Sequence, residues 1–404
     1  MLIEERKVEV DQLRKGMYVC RLDRDWTETP FALQGFLIET DEQLQYLRGL
    51  CEHVFIDVEQ GVDADAAPFL QRGGYPQASR TREFEAVARE VVEELPRAER
   101  ALETITEGVT GILEAFDSGS FVPESEIVAT VEPVVSSLVR NPDAFFWLQA
   151  LRKRGEYAYS HAINCCALAA TLGRQLGLPE GELVELAKGG MLLDIGMTRL
   201  PVGILSQPTV LSAQDRLTMQ GHVALGMEMY RESELSHPTT EAMLAHHHER
   251  HDGSGYPRGL AGGDIPLPAR IAGIVDSYDA MVSERPWRPA KPRHDALQEM
   301  YRERGRLYQE ELIEQFMQAL GVYPVGSLVE LSNGEVAIIM ALNPARRLRP
   351  AMMLLTDAEK KMRSHFEPLD LMLADRAQLP QSELKIVRSL EPGAYGLEPS
   401  ELYL

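Results

Sequence analysis

The sequence predicts a mainly α-helical protein, with a small α+β domain before the helical body and a small β-rich module after it. Three observations carry this. Short alternating segments occupy the chain from Lys7 to about Val58, and apolar residues recur at helical spacing from Leu102 to about Gln315. Beyond Val322-Tyr323-Pro324 the alternation returns on either side of Asn333-Gly334.

Taken in order, Gly35-Phe36-Leu37-Ile38 and Val54-Phe55-Ile56-Asp57-Val58 read as strands around a helix from Asp41 to Leu50, giving an α+β domain over 1–62. Residues 63–82 lose periodicity and contain Gly73-Gly74 and two prolines, which marks a linker. A helical connector follows over 83–140, where Leu102, Ile105, Val109, Ile112, Leu113 and Phe116 share one face. The Glu-rich stretch 84–103 reads as a solvated face. The main helical domain spans 141–320. In the carboxyl-terminal module, 321–404, Leu328-Val329-Glu330-Leu331 and Val336-Ala337-Ile338-Ile339 flank Asn333-Gly334, which predicts a hairpin with a type I′ turn.

The 404 residues carry 41 basic and 62 acidic side chains, a net charge of −21. That balance argues against DNA, RNA or an anionic membrane surface as partner, because all are polyanions. A small phosphate ligand then needs a metal or a local arginine cluster. Cys20, Cys51, Cys165 and Cys166 lack metal-finger spacing, and the adjacent pair suits no ordinary disulfide framework. They read as reduced thiols. The amino end lacks the apolar core of a signal peptide and no stretch approaches the roughly 20 apolar residues of a membrane span, so the expected location is the cytoplasm.

The histidines matter by position. His161 lies on a helical stripe with Cys165, Leu168 and Leu172; Asp194 continues the stripe of Leu186 and Gly190; His247 and His248 follow Met243 and Leu244 at i+4. Asp276 and Asp279 are one turn apart on the apolar helix from Ile271 to Met281, and His222 sits beside Met219 and Gly226. Any one of these is more simply a core residue satisfied by a backbone carbonyl or a salt bridge. As a set they need a common compensation, and helical bundles build metal sites from such inward-facing imidazoles and carboxylates. Cys165 reads as a small core residue rather than a soft ligand.

The run His247-His248-Glu249-Arg250-His251-Asp252-Gly253-Ser254-Gly255-Tyr256-Pro257 resembles the signature of the HD-GYP family, the cyclic di-GMP phosphodiesterases. Ala269-Arg270-Ile271, Asp276-Ser277-Tyr278-Asp279-Ala280-Met281 and Arg285-Pro286-Trp287-Arg288 follow at similar spacing, and Leu193-Asp194-Ile195-Gly196 takes the place of the family's His-Asp-Ile-Gly. The likeness runs from about Tyr157 to Arg288. It implies two or three metals, usually iron or manganese, that activate a water and polarise the phosphodiester. Carried over by position, one metal takes His161, Asp194 and Asp276; the other takes Asp194 as bridge, which is also the catalytic aspartate, with His222, His247 and His248. Arg285, Arg288 and Tyr256 match ligand-contacting positions, and the Gly-Tyr-Pro loop is associated with docking of GGDEF-type diguanylate cyclases. The resemblance leaves room for a homodimer.

Three positions depart from that pattern. Leu193 replaces the motif histidine, Met197 replaces a lysine that neutralises phosphate, and Tyr157 stands where some members use a glutamate. The expectation is one strongly held metal and a weak or empty second site, with Arg199 as a candidate replacement charge. Two readings stay open: a slowed cyclic di-GMP hydrolase yielding pGpG or GMP, and a non-hydrolysing protein that binds cyclic di-GMP or a GGDEF partner. A phosphohydrolase acting on other nucleotides leaves the Gly-Tyr-Pro run unexplained.

Overall fold

Alternating residues at the amino end pair as an antiparallel sheet in the order β1-β4-β2-β3, formed by β1 (Glu5–Glu9), β2 (Tyr18–Leu22), β3 (Phe36–Leu37) and β4 (His53–Asp57). Helix α1 (Asp41–Leu50) contributes Leu44 and Leu47 to a core with Val8, Val19, Ile38, Val54 and Ile56. The computed structural model describes residues 5–15, 17–23, 36–38, 41–57, 87–152, 157–205, 212–233, 235–285, 288–343, 346–376 and 380–401. The segment expected as a linker, 63–82, lies outside them. Two compact units result, residues 1–80 and 81–404.

The second unit begins with three helices, α2 (Val87–Ser118), α3 (Glu124–Arg140) and α4 (Pro142–Leu151). Asn141 stops α3 and caps α4, its side chain accepting from Asp143 N at 3.0 Å while Pro142 takes the first helical position. Helices α5 (Tyr157–Gln175) and α6 (Glu180–Leu192) pack against each other, and α7 (Val202–Leu205), α8 (Ala213–Gln220), α9 (His222–Glu232), α10 (Pro238–His246), α11 (Leu267–Val282), α12 (Arg293–Arg302) and α13 (Glu310–Leu320) follow. The protein is thus mainly helical, as its periodicity predicts.

One surface assignment needs correction. Glu94 of the Glu-rich stretch is buried on the apolar face of α2, between Val91 and Ala98. Arg140 of α3 donates to it from Nε and Nη2 at 2.8–3.0 Å, and Ser137 Oγ adds a bond at 3.1 Å. Burial raises the Glu94 carboxyl, but these donors outweigh it and hold it below the usual range. Arg140→Met is expected to lower stability by about 2 kcal/mol, less than for a fully buried pair because the guanidinium is half-exposed. Since a depressed carboxyl stabilises only while ionised, the deficit should shrink as pH falls through the acid range. Denaturant midpoints of both proteins across pH check this; a constant difference at all pH values would contradict it.

Strands β5 (Leu328–Leu331), β6 (Val336–Ala341), β7 (Ala351–Thr356), β8 (Met362–Asp370) and β9 (Ile386–Leu390) form an antiparallel sheet in the order β8-β7-β6-β5-β9, with α14 (Leu371–Arg376) beside it. The predicted hairpin forms, but its turn is not type I′. Gly334 alone carries a positive φ, +88°, while Asn333 does not, and Gly334 N donates to Leu331 O, so the loop holds three residues, 332–334, rather than two. The Asn333 side chain explains the difference by accepting from Glu335 N at 3.1 Å, which favours an ordinary right-handed conformation there. Every residue of β6 is buried. Val336 and Ile338 join the core of the helices, Ala337 and Ile339 a smaller core on the other face. The helical segments and the sheet therefore share one hydrophobic interior.

Candidate metal centre

Five elements converge. His161 projects from α5; Asp194 sits in the turn after α6; His222 opens α9; His247 and His248 close α10; Asp276 and Asp279 come from α11. Asp194 is not on a helical stripe as its spacing suggested, because α6 ends at Leu192 and Asp194 caps the following 3-10 turn, Ile195–Arg199. That turn approaches α9 so closely that a Cβ at Gly196 would overlap the His222 carbonyl. The glycine is what lets the Asp194 carboxylate meet the His222 ring.

Asp194 faces both halves of the site. Its Oδ1 lies 3.4 Å from His222 Nε2 and 3.7 Å from His247 Nε2, and its Oδ2 lies 3.5 Å from His161 Nε2. Asp276 spans the same gap, with Oδ1 at 3.5 Å from His161 Nε2 and Oδ2 at 3.8 Å from His248 Nδ1. Asp194, His222, His247 and His248 form one cluster whose ligand atoms lie within 4.8 Å of one another; His161, Cys165 and Asp279 form another.

The tautomers follow from the backbone. His222 Nδ1 is 2.7 Å from Met219 O, and His247 Nδ1 is 3.2 and 3.1 Å from the carbonyls of Met243 and Leu244. Carbonyls only accept, so both Nδ1 atoms carry hydrogen, and in the neutral ring each Nε2 presents a lone pair. The two Nε2 atoms lie 3.3 Å apart and converge on Asp194 Oδ1, a buried oxygen that accepts no hydrogen bond among the described residues. Burial also holds His247 below the usual imidazole value and, with the neighbouring His247 and His222 rings, holds His248 well below it. Asp194 is raised by burial but drawn down further by His222, His161 and His247, so it stays ionised. With both rings neutral, as metal ligation requires, two nitrogen acceptors and a carboxylate oxygen aimed at one point repel unless a cation lies among them. The residues present therefore fit a divalent metal.

His161 is oriented from behind. Its Nδ1 donates to Asp279 Oδ2 at 2.7 Å, and Asn164 Nδ2 donates to the other Asp279 oxygen. The sequence shows Asp279 one turn past Asp276 yet gives it no role; only packing reveals it as the carboxylate that aims the ring. Glu249 was likewise missed. Buried beside the histidine pair, it accepts from Arg258 N at 2.8 Å and Leu260 N at 2.9 Å, pinning the loop that carries Tyr256.

The remaining expected residues lie at the rim or in the wall. Tyr256 stacks on His248 with centroids 4.6 Å apart. Tyr157 stacks on His161 at 5.4 Å, and Arg285 lies over the Tyr157 ring at 4.5 Å while donating to its hydroxyl. Arg288 pairs with Arg285 through backbone hydrogen bonds, and its guanidinium donates to Ala280 O. Leu193 is 2% exposed and belongs to the hydrophobic core. Met197 is half-buried in the 3-10 turn. Arg199 bonds Glu232 at 3.0 Å, so the charge it was expected to offer is already paired. Burial pushes the Cys165 thiol up to about 12, which keeps it uncharged beside His161.

Residues 133–312 match the HD domain family, and residues 5–123 match a domain of unknown function (DUF3391). Over 400 residues the chain is 28% identical to a cyclic di-GMP phosphodiesterase of Pseudomonas aeruginosa, covering 98% of this chain and 93% of that one. It is 34% identical over 175 residues to a cyclic di-GMP phosphodiesterase of Thermotoga maritima, across 42% of this chain and 48% of that protein. Among solved structures, an HDG"Y"P protein from Bdellovibrio bacteriovorus superposes with a TM-score of 0.47 at 13% identity, covering 78% of this chain and 98% of that one. Among the described residues no helix is long and apolar enough to cross a membrane.

Proposed function

We propose that this chain, which belongs to the HD-GYP family, is a metal-dependent phosphodiesterase of cyclic di-GMP, with residues 141–320 carrying the chemistry. The observation that carries the reading is the convergence of His222 Nε2 and His247 Nε2 on the buried Asp194 Oδ1, which accepts no hydrogen bond among the described residues. Asp194, His222, His247 and His248 would hold one divalent metal, and His161, Asp194 and Asp276 a second, with iron or manganese as the expected ions. Bound there, such ions lower the pKa of a water and clamp the attacking and leaving oxygens of an in-line displacement.

The chain's own residues supply the rest. Asp194 keeps 27% of its side chain exposed, which leaves the carboxylate facing the side from which a phosphodiester enters. The uncharged His247 and His248 repel no incoming cation. Arg285, held over Tyr157, sets a guanidinium at the rim for a non-bridging phosphate oxygen, and Tyr256 offers a ring face to a guanine. Asp252, Ser254, Pro257, Arg258 and Gly259 expose the Gly-Tyr-Pro loop, as docking of a GGDEF partner there requires. Four free cysteines fit a reducing, cytoplasmic setting.

A second reading rests on Leu193 and Met197: the chain binds cyclic di-GMP with one strong metal and little turnover. Metal content by elemental analysis, together with anaerobic turnover of cyclic di-GMP with added iron and manganese, separates the two. The expected result is one tightly retained metal with slow formation of pGpG or GMP. Retention of no metal at all would remove both readings of the site, and tight ligand binding without any product would favour the second.

A further inference from the structure

The adjacent histidines of the metal centre are held in different ways. Helix α10 ends at His246, so His247 is its cap and His248 stands in the turn beyond, past the reach of the helix's own hydrogen bonds. His247 Nδ1 leans on the carbonyls of Met243 and Leu244, and His222 Nδ1 on Met219 O. Among the described residues no carbonyl stands behind the His248 ring; its Nδ1 lies 3.8 Å from Asp276 Oδ2. The ring is therefore aimed by its stacking on Tyr256 and by the backbone from which it projects.

That backbone is clamped by Arg250, a residue of the histidine-rich run that has no part in the chemistry above. Its Nη1 donates to His247 O and to Glu249 O, both at 2.9 Å, and its Nη2 to Ser277 Oγ at 3.2 Å. Ser277 Oγ in turn donates to Gly273 O at 2.7 Å. The carbonyl between those two, His248 O, accepts from Tyr256 N at 3.2 Å. Ser277 and Gly273 belong to α11, the helix of Asp276, so one guanidinium ties the turn that bears His248 to the helix that bears its carboxylate neighbour. Two glycines close the turn in. A Cβ on Gly273 would lie 2.9 Å from His247 O, and one on Gly255 would overlap His248 O and Arg250 N. Arg250 makes no ion pair among the described residues; its donors go to carbonyls and a hydroxyl, and a planar guanidinium presents them at fixed angles that an ammonium does not reproduce.

We propose that Arg250 is a positioning residue of the metal centre: through His247 O, Glu249 O and Ser277 it sets the direction in which His248 presents its nitrogen to the ion. The role rests on the metal centre proposed above. A general contribution to folding would not single out His248.

Manganese affinity of the full-length chain, measured by calorimetry well below the melting temperature, tests the role. Arg250→Met is expected to weaken manganese about 10–100-fold, the usual effect of removing a group that orients a ligand. His248→Ala should weaken it as well, and adding Arg250→Met to His248→Ala should then change affinity by less than about threefold, because the ring to be aimed is gone. Arg250→Lys keeps the charge without the fork and is expected to regain only part of the loss. Parental affinity in Arg250→Met, full recovery in Arg250→Lys, or equal losses from Arg250→Met with and without His248 overturns the role. If Arg250→Met does not fold, Ser277→Ala carries the test. It removes only the hydroxyl that Nη2 reaches and is expected to weaken manganese about two- to fivefold; unchanged affinity overturns the role. A parent chain that binds no manganese overturns the metal centre itself, and the role of Arg250 with it.

Discussion

Asp194→Asn is expected to empty the metal centre. The substitution keeps the side chain's shape but removes the charge shared between His222, His247 and His161, whose Nε2 atoms lie 3.4, 3.7 and 3.5 Å from its oxygens. Loss of a hydrogen-bonding partner behind a ligand typically weakens metal binding 10–100-fold, so loss of the bridging anion should cost on the order of 100-fold or more. Turnover should fall by orders of magnitude, because the electrostatic stabilisation of the displacement goes with the metal. Two readouts separate this from misfolding. The melting temperature with chelator should match that of the parent chain, while the rise on adding manganese should vanish, since a ligand stabilises only the state it binds. A variant that retains metal at parental stoichiometry would show that Asp194 is not a ligand.

Leu193→His is expected to have the second-largest effect, in the opposite direction. Leu193 is the last residue before Asp194 and is almost fully buried in the apolar core. A leucine offers no lone pair, so the site around His161, Asp194 and Asp276 has one donor fewer than its neighbour. An imidazole there should raise metal content from one to two per chain and speed hydrolysis of cyclic di-GMP by about 10²–10³-fold, the scale of restoring one strong electrostatic contact. The alternative outcome is informative. If the new imidazole cannot reach the metal, it is a buried polar group without a partner, and stability should fall by roughly 1–3 kcal/mol with metal content unchanged. That result, or two metals and fast turnover in the parent chain, would end the view that Leu193 weakens the centre.

Much of this architecture was legible because its signals are local. The stripe His161, Cys165, Leu168 and Leu172 lies on α5 as the spacing requires, and the alternation around Asn333-Gly334 does form β5 and β6. The histidine and aspartate set converges as the motif suggests, although Asp194 and His248 lie just beyond helix ends, where periodicity does not set their direction. Glu94 was misplaced because a carboxylate on an apolar stripe is tolerated only when a partner arrives from elsewhere, and Arg140 is 46 residues away. The type I′ turn was misread because the Asn333 side chain competes for the backbone amide of Glu335.

Sequence periodicity and motif spacing were enough to anticipate the helical body, its flanking sheets and the residues that converge at the candidate metal centre, because each is written in contacts a few residues apart or in the identity of a donor atom. Packing settled the rest. Which oxygen of Asp194 faces which imidazole, that Asp279 aims His161, and that Arg199 is spent on Glu232 all depend on residues 28 to 118 positions apart coming together. Such pairings are chosen by the three-dimensional interior, where an unpaired polar atom is costly, and no local pattern in the chain encodes them.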